Sequence, residues 1–288
     1  MFEAAPNPVD VAYHNSLVEP PVGRHFHNAH EIILVTEGRV RYQINHSFYE
    51  VEKNSLLFIS NLEIHELQIL EHPYKRYFIL INPDYFQSLV GNPLLTALFK
   101  HRPGNFKHSL PLSNEEFDFF MNLFQTMGNE TSQKKELWQN AVGALINQFL
   151  ITLYRSHTDF FPATMSDGAA QKILEIQHYI EAHYSEEISL SALSRQFYAD
   201  SCYISRLFKK ITGFTFKEYL ILYRLSKAKE LLIQTGMDVT RVGLESGFSN
   251  VSHFIRMFKK HENETPYQYR KKLANHPISR PVKAFNQI

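Results

Sequence analysis

The 288-residue chain predicts an α+β protein of two domains, a strand-rich barrel with flanking helices followed by an all-helical domain. Three observations lead there. Residues 24–81 break into short β-prone runs at regular spacing. From Gln171 glycines become few and a helical pattern runs almost to Leu273. The helical half also repeats itself once. The length gives each domain room for a core of its own, without disulfide or metal staples.

The strand region comes first. EIILVTEG, RVRYQINH, SFYEVEKNS and LLFISN succeed one another roughly every 8–12 residues, the rhythm of small barrels and sandwiches. Gly38, Asn45 and Asn54 stand where turns are needed. Residues 113–127 and 133–155 read as helices. In the second, Trp138, Val142, Leu145, Phe149 and Leu153 recur at steps of three and four. The aperiodic stretch 156–170, with Pro162 and Gly168, reads as a linker. Residues 276–288, with two prolines, read as a loose tail.

Composition narrows the function. Hydrophobic residues at 44% and charged residues at 20% exclude a disordered chain. One cysteine, Cys202, excludes a disulfide scaffold and suits a reducing cytoplasm. The longest uncharged helical run, 141–154, is too short to span a membrane. The start, MFEAAPNPVD, lacks the basic and apolar segments of a signal peptide. Net charge is +1 overall but uneven. Residues 1–169 carry 12 Lys/Arg against 18 Asp/Glu, a balance of −6, and residues 170–288 carry 18 against 11, a balance of +7. A basic half favours a polyanionic partner.

The repeat sharpens that expectation. SCYISRLFKK (201–210) returns as VSHFIRMFKK (251–260) at an offset of 50. Upstream the offset is 49, pairing Leu193 with Val242. Each copy reads as a short helix, a tight turn and a second amphipathic helix, the helix-turn-helix arrangement. In the first copy Ser189 caps a helix through Phe197, and the next begins near Asp200. Ile204, Leu207, Phe208 and Ile211 face inward; Cys202, Ser205, Arg206 and Lys209 face out. In the second copy Gly247 marks the turn and Asn250 caps a helix with Ser252, Ile255, Arg256 and Lys259 outward. Thr215 with Glu218, and Thr265 with Gln268, form capping boxes for the third elements.

These residues resemble the AraC/XylS family of transcription regulators over about Gln171 to Lys272. The segment VGLESGFSNVSHFIRMFKKHENETPYQYRK carries the family's second-module signature, and YISRLFKKITG with EYL and RLSKAKELL follows the first. The resemblance implies a seven-helix domain, two helix-turn-helix units and one long linking helix at about Thr215 to Thr235. Carried over by position, Ser201, Cys202, Ser205 and Arg206 face bases in one major groove of double-stranded DNA. Val251, Ser252, His253 and Arg256 face them in the adjacent groove. Lys209, Lys210, Lys259 and Lys260 neutralise phosphates. Asn263 replaces the usual Gly, Phe216 stands where the second copy has Pro266, and Gly243 replaces the usual Ala.

The first domain has its own pattern. His25, His27 and Glu31, completed by His65 on a later strand, are similar to the metal site of a cupin barrel, although Ser60 and Leu62 depart from the second half of that motif. Three readings stay open: metal ligands, an effector pocket, or a structural remnant. Family members often carry a cupin-like sensing domain, and many sense sugars. The resemblance therefore implies an effector pocket, with carbohydrate as the ligand class. No cofactor is expected, and no residue is assigned a catalytic role. The expected layout is an effector-binding and dimerisation domain at 1–155, a linker at 156–170, the DNA-binding domain at 171–275 and the tail. The expected protein is a cytoplasmic, homodimeric transcription regulator, more often an activator, with RNA polymerase as a partner and no membrane contact. The dimer contact is placed on the helix at 133–155. The alternative is a metal-dependent cupin enzyme fused to a DNA-binding module.

Overall fold

The computed structural model describes residues 8–17, 23–102, 106–162 and 168–275. Residues 276–288, and 163–167 of the expected linker, lie outside the described residues. Two compact units emerge. One takes the described residues before 100 and those from 107 to 161. The other takes the described residues of 100–106 and of 162–275.

The first unit is built on an antiparallel sheet of β1 (Val9–Asn15), β2 (His30–Ile44), β3 (Ser47–Glu52), β4 (Ser55–Ile59), β5 (His65–Ile81) and β6 (Ser109–Pro111). The hydrogen-bonded order is β1-β5-β2-β4-β6, with β3 also pairing β2, and among the described residues this path does not close on itself. Helices α1 (Pro83–Leu89), α2 (Pro93–Lys100), α3 (Asn114–Gln133) and α4 (Trp138–Ser156) complete it. Two of the expected turns are real: Asn45 and Asn54 adopt positive φ at the ends of β3.

The third is not. Gly38 lies inside β2, which runs unbroken through both of the runs expected as separate strands. Three register shifts between Val35 and Val40 mark a bulged region in its pairing with β5. Gly38 has φ +83°, and a Cβ there would meet the Pro73 carbonyl oxygen at 2.5 Å. Positive φ serves turns and bulges alike, so the residue type did not distinguish them.

The bulge has a structural effect. Strand side chains alternate faces. Before it, Ile33 and Val35 join the interior cluster; after it, Val40, Tyr42 and Ile44 do. The odd-numbered set hands over to the even-numbered set, so one long strand keeps one face inward past its own kink. β5 hands over likewise, from Leu67 and Ile69 to Tyr74, Phe78 and Leu80. Ile32, Leu34 and Tyr77, between these positions, are buried too. On that side an aromatic lattice forms, with Phe124 6.4 Å from Tyr77 and 5.8 Å from Phe149. Ser113 caps α3 through a capping box with Glu116.

The expected linker is shorter than its aperiodic sequence suggests. α4 continues to Ser156, a 3₁₀ turn covers Thr158–Phe160, and the next helix opens at Gly168. Buried Phe161 packs on Tyr154, ring centroids 5.1 Å apart, which ties the segment to α4.

The second unit contains α5 (Gly168–His183), α6 (Leu190–Gln196), α7 (Ser201–Thr212), α8 (Phe216–Gln234), α9 (Val239–Glu245), α10 (Val251–Glu262) and α11 (Pro266–Asn275). These are the seven helices anticipated. The copies match element for element: α6 with α9, α7 with α10, and the start of α8 with that of α11. No helix among the described residues is long and apolar enough to cross a membrane.

Gly38→Ala should lower the stability of the sheet unit by at least about 1 kcal/mol, because both the conformation and the space reject a Cβ. Gly91→Ala, where nothing lies within 4 Å, should leave it unchanged. Denaturation followed by fluorescence of the single tryptophan, Trp138 of α4, reads this unit directly.

Candidate functional site

In the helical unit, local sequence sets both outward helices. The Asp200 carboxylate accepts from the backbone N–H groups of Cys202 and Tyr203 at 2.9 and 3.0 Å. The Asn250 side chain accepts from His253 at 3.0 Å. These caps satisfy donors the helices leave open. At the far ends Gly213 and Asn263 both take the left-handed conformation, so Asn263 serves as the glycine it replaces would. Ile204, Leu207, Phe208 and Ile211 are buried, as are Phe254 and Phe258 in the second copy.

The outward residues lie where the periodicity puts them. Cys202, Arg206, Lys209 and Lys210 are exposed, with Ser201 and Ser205 partly so. Ser252, Arg256, Lys259 and Lys260 are exposed, with Val251, His253 and Ile255 partly so. Asn250, Ser252, His253 and Arg256 line an open groove of about 500 Å³. The four lysines close helix C-termini, where the helix dipole also favours positive charge.

Two glycines hold the second module together. A Cβ on Gly243 of α9 would stand 2.7 Å from the Phe254 ring of α10, so the departure from Ala lets that ring seat. Gly247, in the turn with φ +87°, approaches the Tyr184 carbonyl so closely that a Cβ would lie 2.4 Å from it. Arg224 of α8 braces the same spot. Its guanidinium donates to the carbonyls of Tyr184 at 2.8 Å and Glu186 at 2.7 Å.

The sheet unit brings its four predicted residues together. The backbones of His25 and His65 pair in an isolated bridge, and Glu31 lies near the start of β2. His27, Glu31 and His65 are buried and His25 partly so. Glu31 Oε2 lies 3.4 Å from His27 Nε2 and 3.5 Å from His65 Nε2. Each Nδ1 faces a carbonyl oxygen: Gly23 for His25 at 2.7 Å, Ala29 for His27 at 3.1 Å, Glu63 for His65 at 2.9 Å. Only an N–H can bond a carbonyl, so in each neutral ring the proton sits on Nδ1 and Nε2 carries the lone pair.

Burial by itself pushes the Glu31 carboxyl up, but His27, His65 and Arg76 outweigh it and hold it at about 2. Burial, reinforced by His27 and opposed by Glu31, pushes His65 down to about 4. The enclosed cavity is small, about 10 Å³.

Sequence reasoning missed Tyr42, Leu67, Arg76 and Leu80, which also line it. Arg76 is buried, donates to the Tyr42 hydroxyl, and Tyr42 in turn meets the Tyr74 hydroxyl at 3.0 Å. An arginine, after Lys75 and ahead of the apolar run YFILI, was the available signal; its position opposite the histidines depends on long-range register. His30 and His108, unassigned from sequence, are buried and bonded into the sheet unit. His30 accepts from the Asn61 backbone N–H at 3.3 Å, and His108 donates to the Phe58 carbonyl at 2.9 Å.

Comparison with known proteins decides the family. Residues 193–272 match the family described as "Helix-turn-helix domain", and residues 8–142 match "AraC-like ligand binding domain". The chain belongs to the AraC/XylS family. It is therefore a DNA-binding transcription regulator with a small-molecule effector, not an enzyme. The HTH-type transcriptional activator RhaS of Escherichia coli O1:K1 is 24% identical over 90% of this chain and 91% of its own. RhaS of Salmonella heidelberg strain SL476 is 25% identical over the same shares. Among solved structures, ToxT from Vibrio cholerae O395 superposes with a TM-score of 0.60 at 13% identity. That match covers 92% of this chain and 98% of ToxT, and it extends the likeness of fold across both units.

Asp200→Ala and Asn250→Ala should each lower the stability of the helical unit by about 1 kcal/mol. Far-UV circular dichroism during denaturation measures the loss.

Proposed function

We propose that this AraC/XylS-family regulator activates transcription by reading two adjacent major grooves through α7 and α10. One observation carries the reading. The pair Arg206 and Lys209 recurs as Arg256 and Lys259, outward on two capped helices of equal length in a basic unit. A solvated face accounts for one such helix; its repetition at equivalent positions favours a shared ligand. Arginine can grip guanine through O6 and N7, and the small Ser201, Cys202, Ser205 and Ser252 allow close approach to base edges, with Val251 and His253 beside them. Lys209, Lys210, Lys259 and Lys260 contact phosphates and set register. Consecutive grooves on one face recur about every 34 Å.

The pocket of His25, His27, Glu31 and His65 receives the effector, with carbohydrate as the class. A ligand there regulates only by binding two arrangements of the protein with different affinity. The protein acts in the cytoplasm as a homodimer, through α4, with RNA polymerase as its partner on DNA. The relatives named as transcriptional activators support the sign of regulation.

Arg206→Ala or Arg256→Ala should cost about 1–3 kcal/mol at the specific site and relax preference at one base position. Selection of bound fragments from random DNA reads this, and unchanged preference in both variants refutes the base-reading role. Lys209→Ala or Lys259→Ala should weaken binding to all sequences alike and reduce the salt slope by about one. Gel shifts at graded salt on matched and unmatched duplexes measure both effects. Repeating a genomic fragment selection with candidate sugars tests the effector class.

A further inference from the structure

The first helix-turn-helix carries a tyrosine where the second carries a glycine. The two turns close alike. The Ala199 backbone N–H donates to the Ser194 carbonyl at 3.1 Å, and the Phe248 N–H donates to the Gly243 carbonyl at 3.0 Å. Bonds of this reach place a left-handed residue just past a helix end. After α9 that residue is Gly247, with φ +87°; after α6 it is Tyr198, with φ +48°. Glycine takes this conformation freely, whereas an aromatic residue rarely does. Packing gives Tyr198 nothing in return. It is 95% exposed, the most of any large apolar side chain among the described residues, against 70% for Leu137, the next. Its hydroxyl has no hydrogen-bond partner and its ring no aromatic neighbour among the described residues. Gly247, by contrast, is pressed against the Tyr184 carbonyl.

The place of this side chain limits what it can meet. Tyr198 lies just before Asp200, the N-cap of α7, and three residues before Ser201, where the base-facing set begins. Three residues span at most about 11 Å of chain, and the major groove is about 12 Å wide. With the N-terminus of α7 in the groove, residue 198 falls within reach of one phosphate wall. The Asp200 carboxylate beside it is turned to the N–H groups of Cys202 and Tyr203, where the helix dipole compensates its charge. We propose that Tyr198 is a positioning contact for DNA: its hydroxyl donates to a phosphate oxygen flanking the groove that α7 enters, and fixes register without reading sequence. The unfavourable turn is retained for binding rather than for folding. This rests on α7 entering a major groove. The two fail separately, because Arg206→Ala reads base preference and the Tyr198 variants read affinity at fixed preference.

The test uses the full chain and two duplexes of equal length, one enriched by selection from random DNA and one unrelated. Tyr198→Gly should raise the midpoint of thermal denaturation, since glycine suits the turn. It should nevertheless bind both duplexes about tenfold more weakly, the size of one hydrogen bond to a charged group. Tyr198→Phe should keep the wild-type midpoint and show most of that loss. The salt dependence of affinity should be unchanged in both variants, because no cation is removed, which separates Tyr198 from the lysines. A scan of single neutral methylphosphonates along the selected duplex should find a position at which wild type and Tyr198→Phe bind equally. Wild-type affinity in Tyr198→Gly, a loss confined to one duplex, or a lowered denaturation midpoint overturns the proposal. So does unchanged DNA affinity with lost transcription by purified RNA polymerase, which assigns the ring to a protein partner instead.

Discussion

The helical unit depends on one helix, α8, that is packed from several sides. α8 buries Tyr219, Leu220, Leu222, Tyr223, Leu225, Ala228 and Leu232, positions spread around its circumference. An ordinary surface helix keeps a polar side; this one is packed by both modules. On one side Phe208 of α7 meets Tyr219, ring centroids 5.4 Å apart. On another, Lys229 pairs with Glu262 at the end of α10 at 3.0 Å, both side chains 4% exposed. Arg270 of α11 donates to the Leu232 carbonyl at 3.1 Å. Desolvating two charges is costly unless geometry compensates. Here the pair also fixes how the end of α10 meets the rod, which apolar packing alone specifies less sharply.

The sheet unit solves a different problem, placing charge inside a hydrophobic interior. Glu31 and Arg76 are buried on strands rich in apolar residues. Burying either charge alone would be prohibitive. The bulged region of β2 and the matching hand-over in β5 bring the His65 imidazole, the carboxylate, Tyr42 and the guanidinium onto one inward face. The charges then answer one another, while Ile33, Val35, Phe78 and Leu80 pack the same face nearby. A one-residue slip in either strand would turn part of this set outward.

Legibility followed the range of the interactions involved. The caps at Ser189, Thr215, Asn250 and Thr265 were readable because each is a contact within three residues; Asp200 was read only as the place where a helix begins. The inward stripes of α7 and α10 were readable because helix period is local. β1, β6, α1 and α2 escaped: β1 and β6 flank the strand-like core of the sequence, and α1 and α2 are short. Gly38 was readable as a special residue but not as a bulge, since that depends on which strand lies opposite. The four metal-like residues were visible as a spacing. Tyr42 and Arg76 were not, because a residue's place across a sheet is set by register rather than by sequence distance.

The close seat of Gly247 on the Tyr184 carbonyl, braced by Arg224, makes the duplicated modules a welded fork rather than two beads on a string. The reach between its prongs is settled when the chain folds. If the two recognition helices read adjacent grooves as proposed, such a protein has little means of stretching to suit a poorly spaced target, so the interval between half-sites becomes as much a part of the recognised address as the letters within them.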